Sequence, residues 1–355
     1  MSQARWQALW LLNSQRRGWL ARLLWPVSLL YGALIALRLG LYQWGLKQSH
    51  RVNVPVIVIG NVVVGGAGKT PTVISVVNHL RAQGWRPGVV SRGHGRVSQH
   101  VVHVQAGTAL DDSGDEPALI HLRTQAPVCV AAKRVAAAEA LLAANPDVDI
   151  LVCDDGLQHL ALHRDLEIVV FDDRGAGNGW LLPAGMLREP WPRVSRASAS
   201  DMVLRQRRED KIDTPLTCSP GTQVFGAVRR LADHVVGPGG ESMALGRLSG
   251  QGLTAVAGTA RPGVFFDMLR ARGISPAVEV GLADHASQAD YAALMEESPS
   301  VLLCTEKDAV KLFPLLLASP AGQRSEVWAA PLELTPDPGF FTELDERLQA
   351  LKRRT

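Results

Sequence analysis

The feature that most constrains the fold of this chain is a glycine-rich loop between a short apolar run and a helix-like pattern. The run Val54–Ile59 is apolar and largely β-branched, which is typical of a strand buried on both faces of a parallel sheet. The loop reads GNVVVGGAGKTP over residues 60–71, and apolar residues then recur with helical spacing over residues 73–80. Strand, glycine loop and helix in this order predict a phosphate-binding loop.

The loop offers the residue types that hold a nucleotide triphosphate. Glycines let backbone N–H groups turn toward phosphate oxygens, and the N-terminus of the following helix adds positive potential. Lys69 is expected to reach the β- and γ-phosphates, and the Thr70 hydroxyl is expected to bind Mg²⁺. The predicted nucleotide contacts are Gly65, Gly66, Ala67, Gly68, Lys69 and Thr70.

The loop departs from the usual GxxxxGK[ST] pattern, because Val63 stands where the first glycine is expected. It is closer to the GGxGKT variant of partitioning-type ATPases, but these carry a lysine at the position of Val64. A membrane-attached P-loop ATPase switch of the partitioning or targeting type, in which nucleotide state gates partner binding, is therefore the alternative hypothesis.

Two acidic motifs are candidates for metal binding and proton transfer. Residues 148–153 form a second apolar run that ends in Asp154 and Asp155, the pattern of a strand that positions Mg²⁺ in P-loop proteins. Adjacent side chains on a strand point to opposite faces, so the two carboxylates are expected to differ in role. Asp115, in the sequence SGDEP, is a candidate to accept a proton from an attacking hydroxyl.

The distribution of charge points to an anionic partner. Residues 1–110 carry twelve Lys and Arg but no Asp or Glu, although the net charge of the whole chain is only +3. Nucleic acid, a phosphorylated ligand and a membrane surface would each suit such a segment. Nucleic acid is disfavoured, because several of the basic residues lie in a tryptophan-rich apolar stretch or within the loop motifs.

The apolar stretch over residues 19–46 predicts a membrane-associated helix. Its longest charge-free run, residues 23–37, is shorter than the roughly 20 residues that span a bilayer. Tryptophans and tyrosines at both ends, with Arg16, Arg17 and Arg22 nearby, are typical of interfacial anchoring. A helix packed on the protein's own core is the alternative.

Seven motifs, taken together and in order, resemble those of one family. They are GNVVVGGAGKTP (60–71), SRGHGR (91–96), SGDEP (113–117), CDDGLQH (153–159), LLPAGMLREP (181–190), ADH (283–285) and TEKDAVK (305–311). This set resembles the tetraacyldisaccharide 4'-kinases, the lipid A 4'-kinases of Gram-negative bacteria, over nearly the whole chain. The strings DDGLQH, PAGMLREP and TEKDAVK are together the most specific part of the resemblance.

The resemblance implies a reaction and a place for it. An ATP- and Mg²⁺-dependent kinase would transfer the γ-phosphoryl group to the 4'-hydroxyl of a tetraacylated glucosamine disaccharide 1-phosphate. The enzyme would work at the cytoplasmic face of the inner membrane. The implied partners are this glycolipid and the membrane surface, with neither nucleic acid nor an obligate protein partner expected.

The resemblance also implies roles for individual residues. Asp115 would be the general base, paired with His285, while Lys69 and Asp154 support catalysis. The implied metal ligands are Thr70, Asp155 and Gln158. The implied substrate-binding residues are Arg92, Arg134, Arg188 and Glu189.

Departures from the family pattern concern finer roles. Ala286 replaces a usual second histidine after the ADH motif, and His94 replaces a usual tyrosine. Residues 305–308 read T-x-K-D and lack the spacing of a guanine-reading motif, so ATP is preferred. Lys307 and Asp308 are expected to start a helix, with either a structural role or one in closing onto the nucleotide.

The pattern of elements predicts an α/β protein. We expect a P-loop NTPase-like, doubly wound, mostly parallel sheet, a smaller C-terminal α/β domain and an N-terminal membrane-associated helix. Strands are expected near residues 54–59, 87–90, 148–153 and 166–171. The expected units are a helical segment at 1–50, a P-loop kinase core at 51–234, a linker or hairpin at 235–252 and the smaller domain at 253–355.

Overall fold

A computed structural model describes residues 14–193, 200–209, 215–284, 286–296, 301–318 and 326–353. These residues form two sheets with helices around them, which confirms the predicted α/β class. The strands near residues 54–59, 87–90, 148–153 and 166–171 are each found within two residues of their expected ends.

The larger sheet contains nine strands in the order β15-β8-β7-β6-β1-β5-β2-β4-β3. The seven strands from β8 to β4 pair in parallel, and an antiparallel strand flanks each side. Its members are β1 Val56–Gly60, β2 Pro87–Ser91, β3 Val102–Val104, β4 Val128–Val130, β5 Ile150–Asp154, β6 Leu166–Phe171, β7 Ser200–Arg208, β8 Gln223–Leu231 and β15 Leu332–Pro336.

The smaller sheet contains six strands in the order β10-β9-β14-β13-β11-β12. Residues 235–252, expected as a linker or hairpin, contribute the antiparallel β9-β10 pair and a 3₁₀ turn at Leu245–Leu248 to this unit. Its strands are β9 His234–Val236, β10 Ser242–Ala244, β11 Thr254–Ala257, β12 Val278–Gly281, β13 Val301–Thr305 and β14 Glu326–Ala330.

The helices lie at the N-terminus and between the strands. They are α1 Trp19–Gln43, α2 Lys69–Ala82, α3 Leu110–Ser113, α4 Asp115–Thr124, α5 Arg134–Ala144, α6 Pro262–Ala271, α7 Gln288–Glu296, α8 Glu306–Ala318 and α9 Pro338–Lys352. The predicted helix start at Lys307 and Asp308 corresponds to the first turn of α8. Apolar residues on both faces of the larger sheet form two cores, because helices cover each face.

The end of the chain returns to the larger sheet, whereas the sequence predicts all of residues 253–355 in the smaller domain. Strand β15 pairs antiparallel with β8, and Phe340, Leu344 and Leu348 of α9 are fully or almost fully buried in the core of the larger sheet. Covering this edge of the sheet removes exposed backbone groups from β8. The smaller unit is therefore inserted between strands of the larger one.

Helix α1 is apolar and mostly exposed. It is long and apolar enough to cross a membrane, with only 11% of its most hydrophobic window buried. Its buried residues are Ala21 and Ser28. Ser28 faces the loop that precedes Arg188, where it donates to the Leu181 carbonyl at 2.9 Å. The exposed apolar surface disfavours the alternative of a core helix.

Candidate active site

The phosphate-binding loop lies between β1 and α2, and buried polar contacts shape it. Gly65 and Gly68 have φ angles of 85° and 78°, which only glycine adopts readily. Gln206 on β7 is almost fully buried and donates to the Gly68 carbonyl at 2.8 Å. The same amide nitrogen lies 2.6 Å from the Thr72 hydroxyl oxygen. Gln206 therefore fixes the last turn of the loop against the first turn of the helix.

A cluster of charged side chains supports the other end of the loop. Arg174 donates to the Val64 carbonyl at 3.2 Å and pairs with the buried Asp172. Arg261, at the start of α6 in the smaller unit, pairs with Asp173 at 2.8 Å. The loop is thus tied to both units through adjacent aspartates.

Two carboxylates stand beside the loop at the carboxyl end of β5. Strands β1 and β5 are neighbours, with Ile59 opposite Asp154. Asp154 is buried and accepts a hydrogen bond from Ser91 Oγ at 2.9 Å. Asp155 Oδ1 lies 3.6 Å from Lys69 Nζ and 3.3 Å from Arg188 Nη1. The two acids differ in environment, because β5 ends at Asp154 and the positive φ of 47° at Asp155 turns the chain away from the strand.

The environments separate the pKa values of the two acids. Burial, with the charges of Glu116 and Asp155, raises the pKa of Asp154 to about 7. Burial alone would raise the pKa of Asp155, but Lys69, Arg188 and Arg134 outweigh it and hold this pKa below its ordinary value. Asp155 is therefore ionised at neutral pH, whereas Asp154 is present in both protonated and ionised forms near pH 7.

Gln158 and Glu189 contact each other below the loop. The Gln158 amide nitrogen donates to Glu189 Oε1 at 2.8 Å and to the Asn61 carbonyl at 3.1 Å. Glu189 is only 3% exposed and lies 3.8 Å from the Arg193 guanidinium. The amide nitrogen is thus committed to protein acceptors, so the expected metal contact of Gln158 would fall to its oxygen.

The remaining arginines expected at the substrate lie in different surroundings. Arg92 is exposed, one residue beyond the end of β2. Arg134 is 5% exposed and donates to the backbone carbonyls of Asp154 and Asp155. These contacts hold the acidic end of β5 in place, and the Arg134 side chain does not face solvent. Arg188 is half-buried beside Asp155.

His159 caps the start of α5. Its Nε2 lies 3.3 Å from the Arg134 backbone nitrogen and accepts this N–H. Burial, with the nearby charges of Arg134 and Arg164, lowers the pKa of His159 to about 4. The imidazole is therefore neutral at physiological pH and serves as an acceptor for a helix N-terminus.

Asp115 begins α4 on the far side of the loop and is 6% exposed. Its Oδ2 lies 2.8 Å from the ammonium of Lys311, which comes from α8 of the smaller unit. The residue expected to pair with Asp115, His285, lies outside the described residues. Asp115 thus lies at the junction of the two units.

A cavity of about 210 Å³ opens between the loop and the smaller unit. Gly66, Gly68 and Thr70 line one side of it. Its other walls are Lys307 and an apolar group from both units that includes Ile74, Val264, Phe265 and Met268. A site with backbone donors at one end and apolar side chains at the other suits a nucleotide.

The donor set suits Mg²⁺ better than a transition metal. Among the described residues there is no group of three or more His, Cys, Asp or Glu that could hold a metal ion by itself. The Oδ1 atom of Asp154 is buried, and none of the described residues forms a hydrogen bond with it. A hard cation held by one or two carboxylates, a hydroxyl and phosphate oxygens fits this arrangement.

Sequence reasoning missed Gln206, Arg174 and Arg261. Gln206 lies in a strand without any motif, and its partner Gly68 is 138 residues away in the chain. Lys311 lies in the motif TEKDAVK, so its membership of a family motif was a signal of function. Its contact with Asp115, 196 residues away in the chain, could not be inferred from that motif.

Comparisons with known proteins point to one family. Residues 20–349 match the family model described as tetraacyldisaccharide-1-P 4'-kinase. The tetraacyldisaccharide 4'-kinase of Polaromonas naphthalenivorans is 52% identical over 337 residues, which is 94% of this chain and 93% of that protein. The protein of the same name from Acidovorax sp. (strain JS42) is 50% identical, over 95% of this chain and 93% of its own.

A solved structure is similar over almost the whole fold. It is the crystal structure of LpxK from Aquifex aeolicus in complex with ATP, with a TM-score of 0.76 and 27% sequence identity. The match covers 93% of this chain and 99% of that one. The alternative of a partitioning-type ATPase switch receives no support from these matches.

Proposed function

Because the chain belongs to the tetraacyldisaccharide-1-P 4'-kinase family, we propose that the cleft between its two units is the active site of this reaction. The protein is an ATP-dependent kinase of lipid A biosynthesis. It transfers the γ-phosphoryl group of ATP to the 4'-hydroxyl of a tetraacyldisaccharide 1-phosphate. The roles of individual residues, below, are our proposal.

The observation that carries the assignment is the contact of Lys69 and Arg188 with Asp155 beside the glycine loop. A loop lysine and a strand-end carboxylate on adjacent parallel strands form the phosphate and metal machinery of P-loop enzymes. In this assignment Lys69 binds the β- and γ-phosphates, and Thr70, Asp155 and the Gln158 amide oxygen hold Mg²⁺, with Asp154 as the supporting acid. When bound, Mg²⁺ neutralises charge on the phosphate oxygens.

The nucleotide would lie along the 210 Å³ cavity. The backbone N–H groups of Gly65, Gly66, Ala67 and Gly68 bind phosphate oxygens, while the apolar wall formed with Phe265 and Met268 receives the base. Arg92, which is exposed, and Arg188, which is half-buried beside Asp155, are proposed to bind the anionic glycolipid. Arg134 and Glu189 act through buried contacts that position Asp155 and Gln158.

Asp115 is proposed as the general base. The oxygen of the 4'-hydroxyl forms a bond to the γ-phosphorus, and the bond between that phosphorus and the β,γ-bridging oxygen breaks. ADP leaves with the electron pair, and the hydroxyl proton passes to the Asp115 carboxylate. His285 is proposed to pair with this carboxylate.

The reaction is proposed to take place at the cytoplasmic face of the inner membrane. Helix α1 presents exposed leucines and tryptophans, and Arg16, Arg17 and Arg22 lie at its start. Such a helix binds an anionic lipid surface by apolar burial and by charge. The glycolipid substrate would reach the cleft from this surface.

The test is an assay of the full chain in vesicles with ATP, Mg²⁺ and tetraacyldisaccharide 1-phosphate. We expect ADP and 4'-phosphorylated lipid in equal amounts. ADP without phosphorylated lipid would instead indicate a nucleotide switch. Asp115→Asn should lower turnover by roughly 10²- to 10⁴-fold, whereas Asp111→Asn, a matched change at an exposed aspartate on the preceding short helix, should retain it.

A further inference from the structure

The TEKDAVK segment at 305–311 connects the nucleotide cavity to the proposed base. Thr305 ends β13, and the segment continues into the first two turns of α8. Thr305, Glu306 and Lys307 line the cavity next to the glycine loop. Lys311, one turn further along the helix, reaches Asp115. A single helix therefore touches both the nucleotide site and the group that would accept the proton.

Asp308 anchors this helix inside the smaller unit. Its carboxylate is fully buried and accepts hydrogen bonds from the backbone of Gly258, the Tyr291 hydroxyl and the Thr305 hydroxyl. These three donors come from the end of β11, from α7 and from the end of β13. The start of α8 is therefore held rigidly, which fixes the direction of the side chains on the face that meets α4.

Two lysines on that face contact the first two residues of α4. Lys307 and Lys311 are four residues apart, so they lie one above the other on the helix. Lys311 Nζ donates to Asp115 Oδ2 at 2.8 Å, and Lys307 Nζ lies 3.9 Å from Glu116 Oε1. Both ammonium groups also bond the loop before α7, Lys307 at Asp284 and Lys311 at the Ala286 carbonyl.

The Lys311 contact is buried on both sides. The side chains of Lys311 and Asp115 are 9% and 8% exposed. A charge in such surroundings is stable only when it is paired, and a nearby ammonium favours the ionised form of a carboxylate. Lys311 thus both fixes the position of Asp115 and favours its unprotonated, proton-accepting form.

From this arrangement we propose that Lys311 is a positioning residue for Asp115, which it holds in place and ionised from the opposite unit. The proposal rests on the proposed function, since it takes Asp115 to be the base. Because Thr305, Glu306 and Lys307 line the nucleotide cavity, the helix that holds the base also borders the site for ATP. The TEKDAVK segment thereby links nucleotide binding to proton transfer.

The test compares pH profiles of kcat and kcat/KM for full-length variants in vesicles. Lys311→Met should lower kcat by about 10- to 100-fold at pH 7 and move the acid limb of the profile up by roughly 1 to 3 pH units. The KM for ATP should change far less than kcat. Lys311→Arg keeps the cation and should restore the position of the acid limb. If Lys311→Met does not fold, Lys311→Gln serves, and we expect the same shift.

Arg123→Met is the matched control. Arg123 pairs with Glu306 and so joins the same two helices at the other end of α4, away from Asp115. This variant should be less stable than the wild type, because it also breaks a contact between the two units. The acid limb of its pH profile should nevertheless coincide with that of the wild type. Among the described residues, Lys307 and Tyr291 also interact electrostatically with Asp115, and Glu116 follows it in the chain; all four variants leave these three groups in place.

Three results overturn the proposal, and a fourth overturns its premise. An unchanged acid limb in Lys311→Met, or a limb displaced equally by Arg123→Met, shows that the lysine is merely structural. If Asp115→Asn is inactive while Lys311→Met has wild-type kcat, only the role of Lys311 fails. If Asp115→Asn retains wild-type turnover, the proposed base itself is wrong.

Discussion

The hydroxyl of Tyr31 in helix α1 donates a hydrogen bond to the backbone carbonyl of Arg188 at 3.0 Å. The Arg188 side chain in turn lies 3.3 Å from Asp155, the proposed metal ligand. Further along the same helix, Arg38 donates to the Gln158 carbonyl at 3.0 Å. The apolar helix is therefore bonded to the loops of the proposed active site.

Removing the Tyr31 hydroxyl tests this connection. Tyr31→Phe should lower kcat several-fold, because Arg188 loses a contact that positions it, while the free energy of unfolding falls by only about 1 kcal/mol. Tyr42→Phe is the control, since it removes a hydroxyl from the same helix about 16 Å further along its axis. Equal kcat values for the two variants in vesicles would contradict a positioning role for Tyr31.

The exposed face of α1 should determine membrane binding. Leu30 and Leu34 are 64% and 58% exposed. Burying a leucine is worth about 1.5 to 3 kcal/mol, so the double variant Leu30→Gln/Leu34→Gln should weaken partitioning more than tenfold. Flotation with vesicles of phosphatidylethanolamine and phosphatidylglycerol measures this. Leu122→Gln, at a similarly exposed leucine of α4, is the control and should float like the wild type. If the double variant also floated like the wild type, α1 would not determine membrane binding.

The close approach of Gln206 to Gly68 predicts a sharp difference between two glycines. A Cβ at Gly68 would lie 1.9 Å from Gln206 Oε1, so Gly68→Ala should abolish measurable ATP binding in a fluorescent-nucleotide titration. Gly84 has a similar φ of 84° but open space around it. Gly84→Ala should therefore cost only about 1 kcal/mol of stability and leave ATP affinity unchanged.

A double variant separates the clash from the backbone strain. Gly68→Ala/Gln206→Ala should regain part of the lost ATP affinity, because the alanine methyl then has room, although the positive φ still disfavours it. No recovery in the double variant would show that the Gly68–Gln206 contact has no part in the loss.

The sequence was informative where local order determines position. The apolar run that ends in Asp154 and Asp155 predicts a strand that positions Mg²⁺. These carboxylates lie beside the glycine loop because β1 and β5 are parallel neighbours whose carboxyl ends share an edge. Gln206 and Lys311 were not predicted, because their partners are 138 and 196 residues away. Hydrophobic periodicity does not predict a contact between residues so far apart in the chain. Such a contact forms only when β7 and α8 pack in the folded protein.

The return of β15 to the larger sheet was also beyond sequence reasoning. Its residues pair with β8 about 100 residues earlier in the chain, as in Leu332 opposite Leu231, and an edge strand carries no signal of which sheet it joins. The burial of Arg134 and Glu189 was hidden for a similar reason. A motif identifies charged residues, but their exposure to solvent depends on how the chain folds around them.

The contrast between Asp154 and Asp155 predicts opposite effects of two similar substitutions on stability. Asp154 has a pKa of about 7 in the folded protein, against about 3.9 in an unfolded chain. Between these values the folded state binds more protons, so stability falls as pH rises from about 4 to 7. Asp155 has a lowered pKa, so its ionised form stabilises the fold above about pH 4, and this contribution is lost as the pH falls further.

In protein stripped of metal with EDTA, Asp154→Asn should therefore unfold at a higher temperature than the wild type at pH 8, with the difference vanishing near pH 4. Asp155→Asn should unfold at a lower temperature at pH 8, because Lys69 and Arg188 lose their partner. Asparagine tolerates the φ of 47° at position 155, so the backbone adds little to this loss. Thermal melts at pH 5, 6.5 and 8 measure both effects. Shifts of the same sign at pH 8 would contradict the division of roles between the two carboxylates.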